Sequence, residues 1–252
     1  TAAFMAGLFT IPHQNVISVL DPGAGSGILS VALIERLQNV SDVSRIEVVC
    51  YENDPNVLEL LQANLDLACK YSNKTVSYQI ITDNYILSQM SDYNYLLDAS
   101  PNPKKFDLVI ANPPYMKIAK DAPEALAMPD VCYGAPNLYF LFVSMSLFNL
   151  NDLGEMVYII PRSWTSGVYF KQFRKHLFKE GVLEHIHLFV SRDKVFEKES
   201  VLQETIIIKV KKTVAKTNSI TISTTQSNSD FSNRTVFAAP YDTIVNGKDC
   251  YV

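Results

Sequence analysis

The stretch that decides the fold runs from Val16 to Gly27: Val16-Ile17-Ser18-Val19-Leu20, then Asp21-Pro22-Gly23-Ala24-Gly25-Ser26-Gly27. The first five residues form an apolar, β-branched run that predicts a buried strand. A helical pattern opens at its far end, over 27–38. Between them, three glycines let the backbone turn tightly and let a ligand approach without Cβ clashes. A strand, a glycine turn and a helix place a binding site at the carboxyl end of the first strand. The spacing is G-x-G-x-G, without the lysine of a phosphate-cradling P-loop. Asp21 before the turn suits a ligand with a cationic amino group better than a polyphosphate.

The same alternation continues outward. Apolar strand-like runs stand at 46–51, 76–82, 106–111, 156–160, 182–190 and 204–210. Helical periodicity fits 55–71, 137–150 and 168–180. Strands separated by helices imply βαβ units and a doubly wound, mostly parallel α/β sheet of seven strands. Only a short charged linker, 191–201, separates the last two, which allows an antiparallel hairpin at one edge. The segment 213–235 is rich in Ser, Thr and Asn, with one weak strand at 220–224. It reads as a linker or peripheral piece, so residues 1–212 are the expected domain and 213–252 the appendage.

Three further constellations fall at strand ends. Glu52 ends the second strand, where a carboxylate can accept both hydroxyls of a ribose. Its neighbours Asp54-Pro55 form a helix start, Asp54 as the cap. Asp83-Asn84 follows the third strand and could reach an exocyclic amine; both residue types also begin turns. The fourth strand ends in Asn112-Pro113-Pro114-Tyr115. Two prolines hold this backbone extended. The Asn112 side-chain oxygen and the Pro113 carbonyl offer two acceptors to one planar amine, favouring its pyramidal, more nucleophilic form. Tyr115 offers a flat face for a base.

Composition sets the outer limits. The chain has 252 residues, 48% hydrophobic and 19% charged, enough apolar content for a core and too much for global disorder. The longest apolar run, 137–150, is too short and too interrupted to cross a bilayer. Cysteines 50, 69, 132 and 250 stand alone, so no metal site is expected and a reduced, cytoplasmic setting is the default. Residues 1–150 carry a net charge of −7 and residues 151–252 a net +3, suggesting two surfaces with different tasks.

On these residues the chain resembles a class I S-adenosylmethionine-dependent methyltransferase with a Rossmann-like fold. More narrowly it resembles the gamma-group N6-adenine DNA methyltransferases of bacterial restriction–modification systems. The glycine turn, the strand-two acid and Asn-Pro-Pro-Tyr come in that family's order. The likeness continues through Pro136–Phe142, Gly154–Trp164, Gly167–Arg174 and Val195–Glu204. Thr1–Ala6 resembles the helix of the family's N-terminal cofactor motif, so the chain is expected to be part of a longer polypeptide. The resemblance implies that Asp21, Gly23 and Gly25 surround the methionine part of S-adenosylmethionine, Glu52 its ribose and Asp83 its adenine. It implies that Asn112 and Pro113 hold the target amine of a flipped adenine in double-stranded DNA, with Tyr115 and Phe196 as aromatic walls. It leaves room outside this chain for a target-recognition domain and for a fused or partner endonuclease.

Two other readings compete. The same tetrapeptide serves methylation of a protein glutamine or of an RNA guanine amine, and a non-catalytic DNA-binding scaffold could keep the fold. Methylation of cytosine C5 needs a cysteine nucleophile, commonly after proline, and no Pro-Cys pair exists. Two surface expectations complete the reading. Met116–Pro136, broken by Pro123, Pro129, Gly134 and Pro136, is expected as a mobile loop bordering the target pocket. Lys117 and the group Arg162, Lys171, Arg174 and Lys175 are candidates for phosphate contact, with solvated surface as the alternative for Lys117, Lys171 and Lys175.

Overall fold

The computed structural model describes residues 1–94, 103–134, 136–190, 204–215 and 217–252. Phe196 lies outside the described residues. The strands are β1 (Val16–Pro22), β2 (Arg45–Tyr51), β3 (Thr75–Ile81), β4 (Phe106–Ala111), β5 (Leu150–Pro161), β6 (Gly181–Phe189), β7 (Thr205–Lys212), β8 (Ser219–Thr225) and β9 (Thr235–Pro240). The helices are α1 (Ala2–Gly7), α2 (Ile28–Leu37), α3 (Pro55–Tyr71), α4 (Tyr85–Ser88), α5 (Met90–Tyr93), α6 (Pro123–Ala127), α7 (Leu138–Asn149), α8 (Lys171–Glu180) and α9 (Tyr241–Ile244).

All the described strands join one sheet, in the order β3-β2-β1-β4-β5-β7-β6-β8-β9. The first five are mutually parallel. The chain steps from β1 outward to β3, then returns to place β4 on the other side of β1. That reversal opens a crevice above the carboxyl ends of β1 and β4. Strands β1, β2 and β4 are buried on both faces over most of their length, which is why they read as mainly apolar runs. One core lies under α1 to α3 and holds Ile17, Val19, Leu33 and Leu61. The other lies under α7 and α8 and holds Leu20, Val109, Phe140 and Trp164. No described helix is long and apolar enough to cross a membrane.

The sheet has nine strands among the described residues, two more than the seven expected. The antiparallel pair of β6 and β7 forms, but the tail continues the sheet beyond it, β8 pairing parallel to β6 and β9 antiparallel to β8. The polar tail fits there for a physical reason. Ile220 and Ile222 are buried, and the hydroxyls of β8 satisfy histidines of β6. Ser223 Oγ lies 2.7 Å from His185 Nε2 and 2.8 Å from His187 Nδ1, and Thr225 Oγ1 lies 3.1 Å from His187 Nε2. Burial pushes both imidazoles down to about 4, so they sit neutral in these contacts.

Met116–Pro136 is also not a bare loop. It carries α6, buries Ala125, Met128 and Val131, and is closed at its base by Ile118 N–H donating to the Pro136 carbonyl.

Candidate functional site

The glycine turn is held from below. Gly23, Gly25 and Gly27 have φ of 77°, 54° and 79°, values an L side chain rarely adopts. The Gly23 and Ala24 N–H groups donate to the Tyr51 carbonyl at 2.8 and 2.9 Å, tying the turn to β2. Glu52 completes the tie. Its Oε2 accepts from Gly25 N–H at 2.7 Å and its Oε1 from Asp54 N–H at 2.8 Å. Two of the roughly four lone-pair directions of the carboxylate are thereby used, and Glu52 is among the residues lining the crevice. Asp54 caps α3 through Asn56 N–H, with Pro55 in the first turn.

Asp21 differs from expectation. It is fully buried beneath the turn and is not among the described residues lining the crevice. Its Oδ2 accepts from Ser30 Oγ at 2.7 Å, whereas Oδ1 has no partner. Burial pushes its carboxyl up to about 7. The same environment holds the neighbouring Cys50 thiol well above its usual range. An apolar strand end leaves this carboxylate no solvent, and its hydrogen bond ties the end of β1 to Ser30 of α2.

Asn112 and Pro114 are exposed at the end of β4, and Pro113 is buried. The Tyr115 hydroxyl lies 2.8 Å from Asn112 Oδ1 and 2.8 Å from the Ile159 carbonyl, both acceptors for its proton. Its ring meets Tyr139 edge-on at 6.3 Å. The two motifs are close neighbours: a Cβ on Gly23 would come within 3.5 Å of Phe142 and 3.8 Å of Pro114.

One crevice of about 710 Å³ joins these parts. Gly23, Gly25, Glu52, Asp83, Asn112, Pro113 and Tyr115 all line it. A second crevice, about 420 Å³, lies on the α1 side and shares Gly23, Gly25 and Asn112 with the first. Asn112 thus stands where the two spaces meet. Sequence reasoning missed Phe142, Glu124 and Thr205, which also line the larger crevice. Glu124 Oε1 accepts from Asn84 Nδ2 at 2.8 Å, bringing α6 to the crevice wall, while Asn84 caps α4. No local pattern marks such contacts.

Of the basic group, Arg174 is a correction. It is fully buried, donating from Nη1 to the carbonyls of Trp164 and Gly167 at 2.8 Å each and from Nε to Asp249 O at 2.9 Å. It straps the turn around Asp249 to the short turns over 162–170 that follow β5 and cannot meet a phosphate. Lys171 and Lys175 pair with Asp249 at 3.0 and 3.6 Å, and Arg162 with Glu204 at 3.3 Å, on half-exposed surface.

The family model described as Eco57I restriction-modification methylase matches residues 35–196. The chain belongs to that family. Type II methyltransferase M.BsuBI of Bacillus subtilis is 36% identical over 250 residues, 98% of this chain and 48% of its own length. Type II methyltransferase M.PstI of Providencia stuartii is 35% identical over 255 residues, with the same coverage of 98% and 48%. The chain spans about half the length of these curated relatives. Among solved structures, the methyltransferase subunit of a type I restriction-modification system from Streptococcus thermophilus aligns with TM-score 0.64 at 18% identity. That alignment covers 89% of this chain and 46% of the other, so the fold is shared with restriction–modification methyltransferases.

Proposed function

We propose that this chain is the catalytic part of a restriction–modification DNA methyltransferase that methylates the N6 amine of a flipped-out adenine. The observation that carries the reading is the position of Asn112, at the junction of two crevices and beside the glycine turn. Glu52 and Asp83 line the larger crevice for the donor, and Asn112, Pro113 and Tyr115 line the same crevice for the acceptor. The residues fit S-adenosylmethionine: a cradle of left-handed glycines, a ribose-competent Glu52 and an exposed Asp83 at the tip of β3. When bound, that cofactor supplies an electrophilic methyl group on a cationic sulfur.

The protein's own part is placement and polarisation. Asn112 Oδ1 and the Pro113 carbonyl accept the two hydrogens of the target amine. Oδ1 has two lone pairs, so the Tyr115 hydroxyl and the amine can share it. Tyr115 presents its ring to the base. Neither acceptor is basic enough to take a proton, so the proton leaves to water once the C–N bond has formed. Family membership, with likeness over 98% of the chain to two Type II methyltransferases, supports DNA over a protein amide or an RNA as substrate. Readout of the DNA word, and any endonuclease, is assigned to parts of the polypeptide or partners beyond this chain.

The test is to expose DNA to the full-length protein with S-adenosylmethionine and map modified bases. N6-methyladenine in a fixed word is expected. Asn112→Ala should hold cofactor affinity within about twofold and cut transfer at least 10²-fold, the scale of a lost transition-state contact. Methyl groups on glutamine instead, or unchanged turnover in Asn112→Ala, refute the proposal.

A further inference from the structure

The smaller crevice has a wall that the family motifs do not supply. Its lining comes from α1 (Ala2, Met5), from the glycine turn, from Asn112 and from Asn228 in the loop between β8 and β9. That loop belongs to the polar tail, yet it is held firmly over the crevice. Asp230 accepts from Gln226 N–H at 3.1 Å, Ser227 N–H at 2.9 Å and Ser227 Oγ at 3.2 Å, closing a compact turn. Phe231 then stacks on Phe4 of α1, with centroids 4.4 Å apart and planes 17° from parallel. It also lies 5.3 Å from the ring of buried His187. The loop is therefore shaped before any ligand arrives, which removes an ordering cost from binding.

The chemistry of the lining points to one end of the cofactor. Met5, Ala24, Leu29, Ile159 and Phe189 make the space largely apolar. Its polar side chains, among the described residues, are Thr1, Ser26, Asn112 and Asn228. Asn112 is committed to the acceptor amine. The amino-acid end of S-adenosylmethionine is a zwitterion that needs donors for its carboxylate and an acceptor for its ammonium. A carboxamide carries two N–H donors and a carbonyl on one rigid plane. We infer that the loop Gln226–Phe231 is the outer wall of the pocket for the cofactor's amino-acid end, with Asn228 as its polar contact. The inference rests on the cofactor reading above and extends the binding site into a segment that sequence alone treats as a linker.

Two ligands separate the possibilities. S-adenosylhomocysteine has the amino-acid end; 5′-methylthioadenosine keeps the nucleoside and the sulfur but lacks it. Calorimetry on the full-length protein should show Asn228→Ala weakening S-adenosylhomocysteine roughly tenfold, the size of one lost hydrogen bond to a charged group. Affinity for 5′-methylthioadenosine should stay within about twofold, which also reports that the variant is folded. Unchanged S-adenosylhomocysteine affinity, or equal loss for both ligands, overturns the inference. A wild-type protein that binds neither ligand overturns the cofactor reading beneath it.

Discussion

Asp21→Asn isolates the electrostatics beneath the glycine turn. The wild-type carboxyl is fully buried, accepts from Ser30 Oγ and leaves Oδ1 unpartnered. Burial raises it from the ordinary 3.8 to about 7. A raised acid holds its proton more tightly in the native state than in the unfolded chain. Stability from this group is therefore fully present below pH 4, falls as pH rises toward 7, and is level above that. The gap between the two values corresponds to about 4 kcal/mol, of which about 3 kcal/mol falls between pH 5 and pH 8. An asparagine keeps an acceptor for Ser30 and cannot ionise. The unfolding free energy of Asp21→Asn minus that of wild type should thus grow by about 3 kcal/mol from pH 5 to pH 8. Urea unfolding followed by fluorescence of the buried Trp164 measures it at each pH. A difference that stays flat across this range means Asp21 is ionised without cost in the native state. The buried, unsolvated role assigned to it is then wrong.

Two other substitutions probe separate layers. Glu52→Ala removes both the tie to the Gly25 and Asp54 N–H groups and the proposed ribose acceptor; cofactor binding by calorimetry should weaken by about 1.5–3 kcal/mol, and no loss would take Glu52 out of the site. Arg174→Met leaves three carbonyls without their charged donor and should lower unfolding stability by about 3 kcal/mol; a salt-dependent loss of DNA affinity with unchanged stability would restore a phosphate role for Arg174.

The parallel half of the molecule was legible in the sequence because its causes are local. A strand covered on both faces over most of its length must be mainly apolar, and β1, β2 and β4 are. A turn with left-handed backbone at three positions needs glycine, and Gly23, Gly25 and Gly27 supply it. A topological switch point then brings the ends of β1, β2, β3 and β4 together, so Glu52, Asp83 and Asn112 share one crevice.

Other features depended on partners far along the chain. Arg174 reads as a phosphate-binding residue of a helix until Asp249, 75 residues later, folds back over it. The tail reads as a linker because Ser and Thr dominate it, yet the hydroxyls of Ser223 and Thr225 are the partners of buried His187, 36 and 38 residues earlier. Asp21 looks like a ligand contact, and only packing shows that it points down into the core. The amino-acid order determined strands, turns and motif chemistry, since these follow from backbone geometry and periodicity within a few residues. Tertiary structure alone decided which polar groups are buried, because burial depends on what distant chain covers them.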